Sequence, residues 1–442
     1  MPGGVPSGFA RDFPAGHVRD LVKDIIDVRR LLPQLEIIAR RSPMTVRDKE
    51  GKIVLRLSFD SLKAKYPDEG RPVPLGRYLT VEPVRGYRKA LIKAGKLLDK
   101  RFAAKPCDLP VHIEGMQAIG ITPGDYSSKL RLQLQPSMTA REASRLIHLN
   151  LLDSMRKNEQ GAAGNIDPEF LHDLRVAVRR TRSALSQLDK DVLPADIVAR
   201  AKNEFRWIGR QTNRMRDMDV YLIDYPLLQS SLPKQYQAHL QPLHDYLLAQ
   251  SRLELKNVAR MIRSKRYREI RDHWHAYLLA DKEKADETRQ ATTPVKELAD
   301  ARIWKVYRAV MKGGETIDDD SPAQALHDLR ITCKKLRYLL EFCQSLYPPK
   351  EIERLIKSLK TFQNVLGEFQ DTELQALAIL DIGRGLADTG TAPVETQMAM
   401  GMAADEILQR QRLARREFAD QFRMFSQRKL RRSFADLFMS KG

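Results

Sequence analysis

The sequence predicts a mainly α protein: a duplicated helical bundle, roughly 139–280 and 293–435, preceded by a smaller α+β segment. Three observations predict it. From Ser137 nearly to the end, apolar residues recur at spacings of three and four, with loops marked by Gly, Pro and Asp. Within that stretch one basic motif occurs twice at a constant offset. Before about residue 135 the pattern changes to short extended runs broken by Gly and Pro.

Residues 1–16 are rich in Pro and Gly and lack an apolar stretch, so they read as a disordered lead rather than a signal peptide. In the segment 17–135, Met44 to Arg47 and Lys52 to Phe59 alternate apolar with charged residues around Asp48-Lys49-Glu50-Gly51, which predicts a hairpin. A helix is expected at about Pro83 to Phe102, and a weaker extended run, Lys129 to Gln135, closes the segment. Gln135-Pro136-Ser137 marks the boundary, with Ser137 or Thr139 as the N-cap of the first long helix.

The chain has 442 residues, 42% of them hydrophobic, enough for more than one packed core. Its 76 Lys and Arg against 57 Asp and Glu leave a net charge of +19, which favours an anionic partner: nucleic acid, membrane headgroups or phosphate chains. Three cysteines without CxxC or Cys/His spacing suggest neither a disulfide framework nor a zinc site. No apolar run approaches the ~20 residues of a membrane helix, and the expected address is the cytoplasm.

The repeat carries the chemistry. His172-Asp173-Leu174-Arg175-Val176-Ala177-Val178-Arg179-Arg180-Thr181-Arg182 aligns with His327-Asp328-Leu329-Arg330-Ile331-Thr332-Cys333-Lys334-Lys335-Leu336-Arg337 at an offset of 155. Each copy follows an X-Pro pair, Asp167-Pro168 and Ser321-Pro322, as a helix with Pro in its first turn should. At 100° per residue His172, Arg175, Arg179 and Arg182 fall within an arc of about 80°, and so do His327, Arg330, Lys334 and Arg337. The apolar residues of each copy face the other way. Arg180 and Lys335 lie off the stripe and read as rim or solvent-facing charges.

Like charges on successive turns repel by a few tenths of a kcal/mol per pair in an isolated helix. A helix that tolerates this twice, at matching positions, faces an anion more readily than water. Arg donates two hydrogen bonds from one planar fork, and the ~5.4 Å rise per turn spaces the donors as a ladder, suited to a chain of phosphates. Arg145, His148 and Arg156 before the first copy, and Arg302, Lys305, Arg308 and Lys312 before the second, extend the basic face. The competing reading of a single stripe is a solvated surface, and that of each histidine is a structural hydrogen bond at a helix start. A metal role is disfavoured because each copy offers one His without a carboxylate or thiol in ligand spacing. Asp217, Asp219 and Asp371 read as helix-cap residues or partners of the Arg stripe rather than metal ligands.

At these residues the sequence resembles the CHAD family, the conserved-histidine α-helical domain, over roughly 139–435. The resemblance rests on His-Asp-Leu-Arg-Val with Arg-Arg-x-Arg, on Arg216-Asp217-Met218-Asp219-Val220, and on His-Asp-Leu-Arg-Ile with Lys-Lys-Leu-Arg-Tyr. It implies two four-helix bundles related by a pseudo-two-fold axis, with a basic groove between them that binds inorganic polyphosphate. Carried over by position, that groove includes His172, Arg175, Arg179, Arg182, His327, Arg330, Lys334 and Arg337. Asn213, where the family usually has Gly, and Gln370, opposite Arg216, depart from the pattern. The segment before it resembles the C-terminal half of a CYTH domain at Val28 to Pro33, the hairpin, and Val81 to Tyr87. The Glu-x-Glu-x-Lys strand of that family is absent, which implies a truncated remnant without triphosphate hydrolysis. Arg40, Arg41, Arg47 and Arg56 on the hairpin read as its solvent face or as further phosphate donors.

The expected function is therefore non-enzymatic binding of polyphosphate, with no catalytic residue, metal or cofactor, and with association with polyphosphate granules implied by the resemblance. A phosphohydrolase and a nucleic-acid-binding protein are the alternatives. The first lacks a carboxylate cluster for Mg²⁺, and the second lacks aromatics interleaved with the basic stripes.

Overall fold

A computed structural model describes residues 8–67, 70–123, 127, 130, 132–280 and 288–439. The chain divides into two compact units, Met1–Ser127 and Ser128–Gly442.

In the first unit a 3-10 turn at Ala10–Asp12, inside the stretch expected as a disordered lead, precedes α1 (His17–Ile26); residues 1–7 lie outside the described part. The hairpin is present and longer than its sequence signal: β1 (Glu36–Arg47) pairs antiparallel with β2 (Ile53–Lys65), and Asp48 closes the turn by accepting from the amides of Glu50 and Lys52. A third strand, β3 (Val73–Pro83), pairs with β2, so the order is β1-β2-β3. α2 (Arg88–Phe102) fills most of the expected helix, and α3 (Val111–Ala118) packs on β2, where Gly115 admits Leu35 and Ala64. Two hairpin cations are engaged locally. Arg41 donates to both carboxylate oxygens of Asp60 at 3.1 and 3.2 Å, and Arg47 to the Gly51 carbonyl at 2.7 Å.

The second unit begins earlier than the composition break. Leu130, Leu132 and Leu134, expected to end the α+β segment, are buried in the helical core, and the described part of that run forms no strand. Among the described residues the unit is helical: α4 (Ala140–Gly164), α5 (Pro168–Gln187), α6 (Ala195–Gln211), α7 (Asn213–Ser231), the short α8 (Lys234–Gln237), α9 (Gln241–Arg263), α10 (Lys265–Leu279), α11 (Val295–Glu315), α12 (Ala323–Cys343), α13 (Pro349–Asp388), α14 (Val394–Phe425) and α15 (Arg428–Phe438). Thr139 is the N-cap of α4 in a capping box with Glu142, and Asp167 caps α5 with Pro168 at its first position. At the second repeat Pro322 is itself the N-cap of α12, because Ser321 turns back to bond Asp318.

The offset of 155 maps α4 onto α11 and α5 onto α12; α6 with α7 falls on α13, where the offset shortens to 154 so that Arg216 stands opposite Gln370, and the 40 residues of α13 run without the break found at Thr212. α9 and α10 correspond to α14 and α15. Equivalent residues meet: Thr139 and Pro294, 155 apart, form an isolated antiparallel bridge, with Ala140 N bonding Thr293 O and Val295 N bonding Met138 O. The bridge is antiparallel and its two bonds exchange equivalent positions, 140 with 295 and 138 with 293, which is the local geometry of a pseudo-two-fold axis between the halves. One apolar core lies within α4–α7, α9 and α10; a second joins α4 and α5 to α11–α15. A third, from Tyr225 and Leu243 to Ala403 and Ile407, binds α7 and α9 to α13 and α14. Close approach fixes two glycines: a Cβ at Gly161 would lie 2.2 Å from the Phe170 ring, and one at Gly314 2.0 Å from that of Phe422.

A basic face where the two repeats meet

The apolar sides of α5 and α12 (Leu174, Val178 and Leu185; Leu329, Cys333, Leu336 and Leu340) are buried, which turns the stripes out of the cores. α5 and α12 pack against each other, and the stripes converge. Arg179 and its repeat equivalent Lys334 are close enough for the Arg179 charge to disfavour protonation of Lys334.

Arg175 reaches the α6–α7 junction, donating to Gly209 O at 3.0 Å, Thr212 Oγ1 at 2.7 Å and Asn213 Oδ1 at 2.9 Å. All three partners are neutral, so the guanidinium is oriented without a carboxylate in contact, and Asp217 and Asp219 answer its charge only from a distance. Its equivalent, Arg330, chelates Asp371 with Nη2 at 2.8 and 2.9 Å, and its charge is partly answered. Asn213, the departure from the family pattern, is thus a positioning acceptor for Arg175. His327 Nδ1 bonds Gln370 Oε1, whereas His172 sits near Arg216, the residue opposite Gln370. Burial and the Arg216 charge push the His172 pKa down to about 4, leaving it neutral at pH 7. His172 is therefore a neutral ring at the head of its stripe, and His327 is a ring held by Gln370 at the head of the other.

Burial first, and like charge after it, marks the whole surface. Burial, then Arg179 and Arg216, lower the Arg175 pKa to about 10, with Asp217 and Asp219 opposing. Burial and the charges of Arg330, Arg179 and Arg337 lower Lys334 to about 8. Arg182 is lowered by burial and by Arg206 and Arg210 of α6, so the stripe of α5 continues onto that helix. Asp219 is raised to about 7 by burial despite Arg216 and Arg175. Among the described residues, Arg175, Arg179, Arg182, Arg216 and Lys334 make no ion pair at contact distance. Arg216 Nη1 is buried without a hydrogen-bond acceptor. A buried donor on a charged group without an acceptor costs about 1–3 kcal/mol or more.

Several residues expected on the face stand elsewhere. His148 is fully buried, its Nε2 2.6 Å from Asp189 Oδ2 and its ring edge-on to Trp274, so it is a core residue. Arg302 ties loops together, donating to Lys190 O and Gln290 Oε1, both at 2.8 Å. Lys305, Arg308 and Lys312 line a cavity of about 570 Å³ with Trp304 and Arg431; no stripe residue lines it. Arg145 is exposed on α4, and Arg156 lies 4.0 Å from Asp272. Arg180, expected at the rim, is 13% exposed and pairs with Glu341 of α12 at 2.9 Å. Arg206 and Arg210 lie on the same face outside the repeated motif, and Arg216 stood in the sequence only as a motif residue; the tertiary packing of α6 and α7 brings all three to the stripe.

The family model of the CHAD domain matches residues 147–379, more than half of the chain. The chain belongs to the CHAD family. A crystal structure of the CHAD domain from the plant Ricinus communis is similar in fold, with a TM-score of 0.56 at 22% identity over 72% of this chain and 98% of that one. PptA from Streptomyces chartreusis aligns at a TM-score of 0.49 and 17% identity, over 64% of this chain and 99% of its own. No curated protein matches the chain. Among the described residues no helix is long and apolar enough to cross a membrane, and no three His, Cys, Asp or Glu side chains gather as a metal site.

Proposed function

We propose that this CHAD protein binds inorganic polyphosphate, without hydrolysing it, on the basic face formed by α5, α12 and the start of α7. The observation that supports this most directly is the group Arg175, Arg179, Arg216 and Lys334: four cations from three helices that depress one another or their neighbours, with no carboxylate in contact among the described residues. A linear polyanion supplies a charge every few ångströms and can answer all four at once, whereas a single phosphate cannot. The reading places the protein in the cytoplasm with polyphosphate granules.

Charge reversal at the two equivalent arginines, Arg175→Glu with Arg330→Glu, tests it. A hydrogen bond to a charged group contributes about 1.5–3 kcal/mol, so losing one at each site should weaken long-chain polyphosphate binding by roughly a hundredfold or more, with helicity unchanged. Unaltered affinity would remove this face from consideration. Competition by single-stranded DNA at fixed salt separates polyphosphate from nucleic acid, and phosphate release with Mg²⁺ present separates binding from hydrolysis.

A further inference from the structure

The basic stripe of α5 does not stop at Arg182. One turn on is Ser186, whose hydroxyl donates to the Arg182 carbonyl at 2.8 Å, and Ser186 lines a cavity of about 560 Å³ between the end of α5 and the start of α6. Lys190, Lys202, Arg206 and Arg289 also line it, against one acid, Asp191. The charge of that acid is already engaged, 3.7 Å from Arg302. Arg206 belongs to both places: it borders the cavity and it acts on Arg182 at the end of the stripe.

The cavity has a stitched back wall. Arg302 bonds Lys190 O and Gln290 Oε1, Gln290 N bonds Asp191 O at 2.9 Å, and Thr288 Oγ1 bonds Val192 O at 2.7 Å. The first turn of α6 faces the same space through Ala195, Val198 and Ala199, and its N-cap, Pro194, supplies no side-chain acceptor. The positive end of that 17-residue helix therefore adds to the four cations, with Asp196 in its first turn opposing. The second repeat differs at this place. Its residue equivalent to Ser186 is Glu341, a carboxylate paired with Arg337 at 3.5 Å and Arg180 at 2.9 Å. One stripe runs into an electropositive cavity, and the other is closed by an acid.

We propose that this cavity is a subsite for the terminal phosphoryl group of the chain bound on the basic face, so that the protein anchors its polyanion by an end. The proposal rests on the polyphosphate reading of that face. A terminal phosphoryl group has a second ionisation near pH 6 and carries close to two charges at neutral pH, where an internal one carries about one. Four cations and a helix N-terminus around a walled space select the doubly charged end, while the open ladder of α5 and α12 suits the interior.

The test uses linear tripolyphosphate, which has ends, and cyclic tetrametaphosphate, which has comparable charge and none. Both are titrated into the full chain carrying Arg175→Glu and Arg330→Glu, so that the face itself is disabled. The expected result is one saturable site for tripolyphosphate, binding at least tenfold tighter than the cyclic ion and weakened at least tenfold by adding Lys202→Gln and Arg206→Gln. Thermal melting confirms that each variant is folded. Absence of a saturable site, or equal affinity for the two anions, would overturn the proposal. Long-chain polyphosphate that binds the face-disabled variant undiminished would instead count against the face, and the tripolyphosphate comparison would still decide the cavity.

Discussion

Arg180 of α5 and Glu341 of α12 form an ion pair at 2.9 Å across the two repeats, each side chain about seven-eighths buried. Glu341 also faces Arg337 at 3.5 Å, so one carboxylate holds two cations beneath the basic face. Removing one member of a buried pair strands the other, at a cost of about 3–5 kcal/mol at the buried limit, whereas an apolar pair of similar size is often neutral. Glu341→Ala should lower unfolding free energy by roughly that amount in urea. Arg180→Met with Glu341→Leu should recover most of it. Equal losses in the single and double variants would show that the pair does not join the halves.

Arg216 is the cation that distinguishes the first half of the face, since Gln370 stands opposite it in the second. Arg216→Gln should weaken polyphosphate binding about tenfold, the loss of one charge-assisted contact, as read by isothermal titration. Gln370→Arg should act in the opposite direction by adding a cation beside Arg330. A Gln370→Arg variant that binds no better would mean that the ligand does not pass that position.

Lys334 gives the face a pH signature. With its pKa near 8, it loses its charge as pH rises through that value, so affinity should fall between about pH 7.5 and 9. Lys334→Arg should abolish the fall, and binding by the parent chain that stays flat across this window would exclude Lys334 as a contact. Stability moves the other way. The folded pKa is depressed below 10.5, so between about 8 and 10.5 the unfolded chain binds more protons and the ligand-free protein gains stability as pH rises.

Gly161 and Gly314 test the packing of the two halves independently of charge. Each admits an aromatic ring where a methyl would overlap it. Alanine at either site should cost about 1–3 kcal/mol through overpacking, measured by thermal or urea unfolding, without changing polyphosphate affinity in the folded protein. Loss of affinity at full stability would tie these contacts to the site.

The stripes were legible because helical phase is a local property: once α5 and α12 are helices, Arg175, Arg179 and Arg182 must share a side. The hairpin was legible for the same reason, its alternation and Asp48 turn being written within some twenty residues. The fates of His148, Arg302 and Arg180 were not, since each depends on a partner 41, 112 or 161 residues away. A histidine that meets a buried Asp189 and one that meets an Arg look alike in a string of letters. Arg216 failed in the opposite direction. It sits in a segment read as a loop or cap, and its membership in the face comes from the packing of α7 beside α5. Leu130, Leu132 and Leu134 alternate as a strand does, yet three leucines two apart can also be an extended run laid across a helical core.

The duplication has not left two mechanically equal halves. In the first, α6 and α7 are separate helices that meet at Thr212, the residue Arg175 holds; in the second, the same length is one helix of 40 residues, about 60 Å of continuous hydrogen-bonded rod. A jointed arm and a solid one flank the same basic face. On the proposed reading a bound chain meets the jointed side at Arg175, whose bonds to Gly209, Thr212 and Asn213 span that joint.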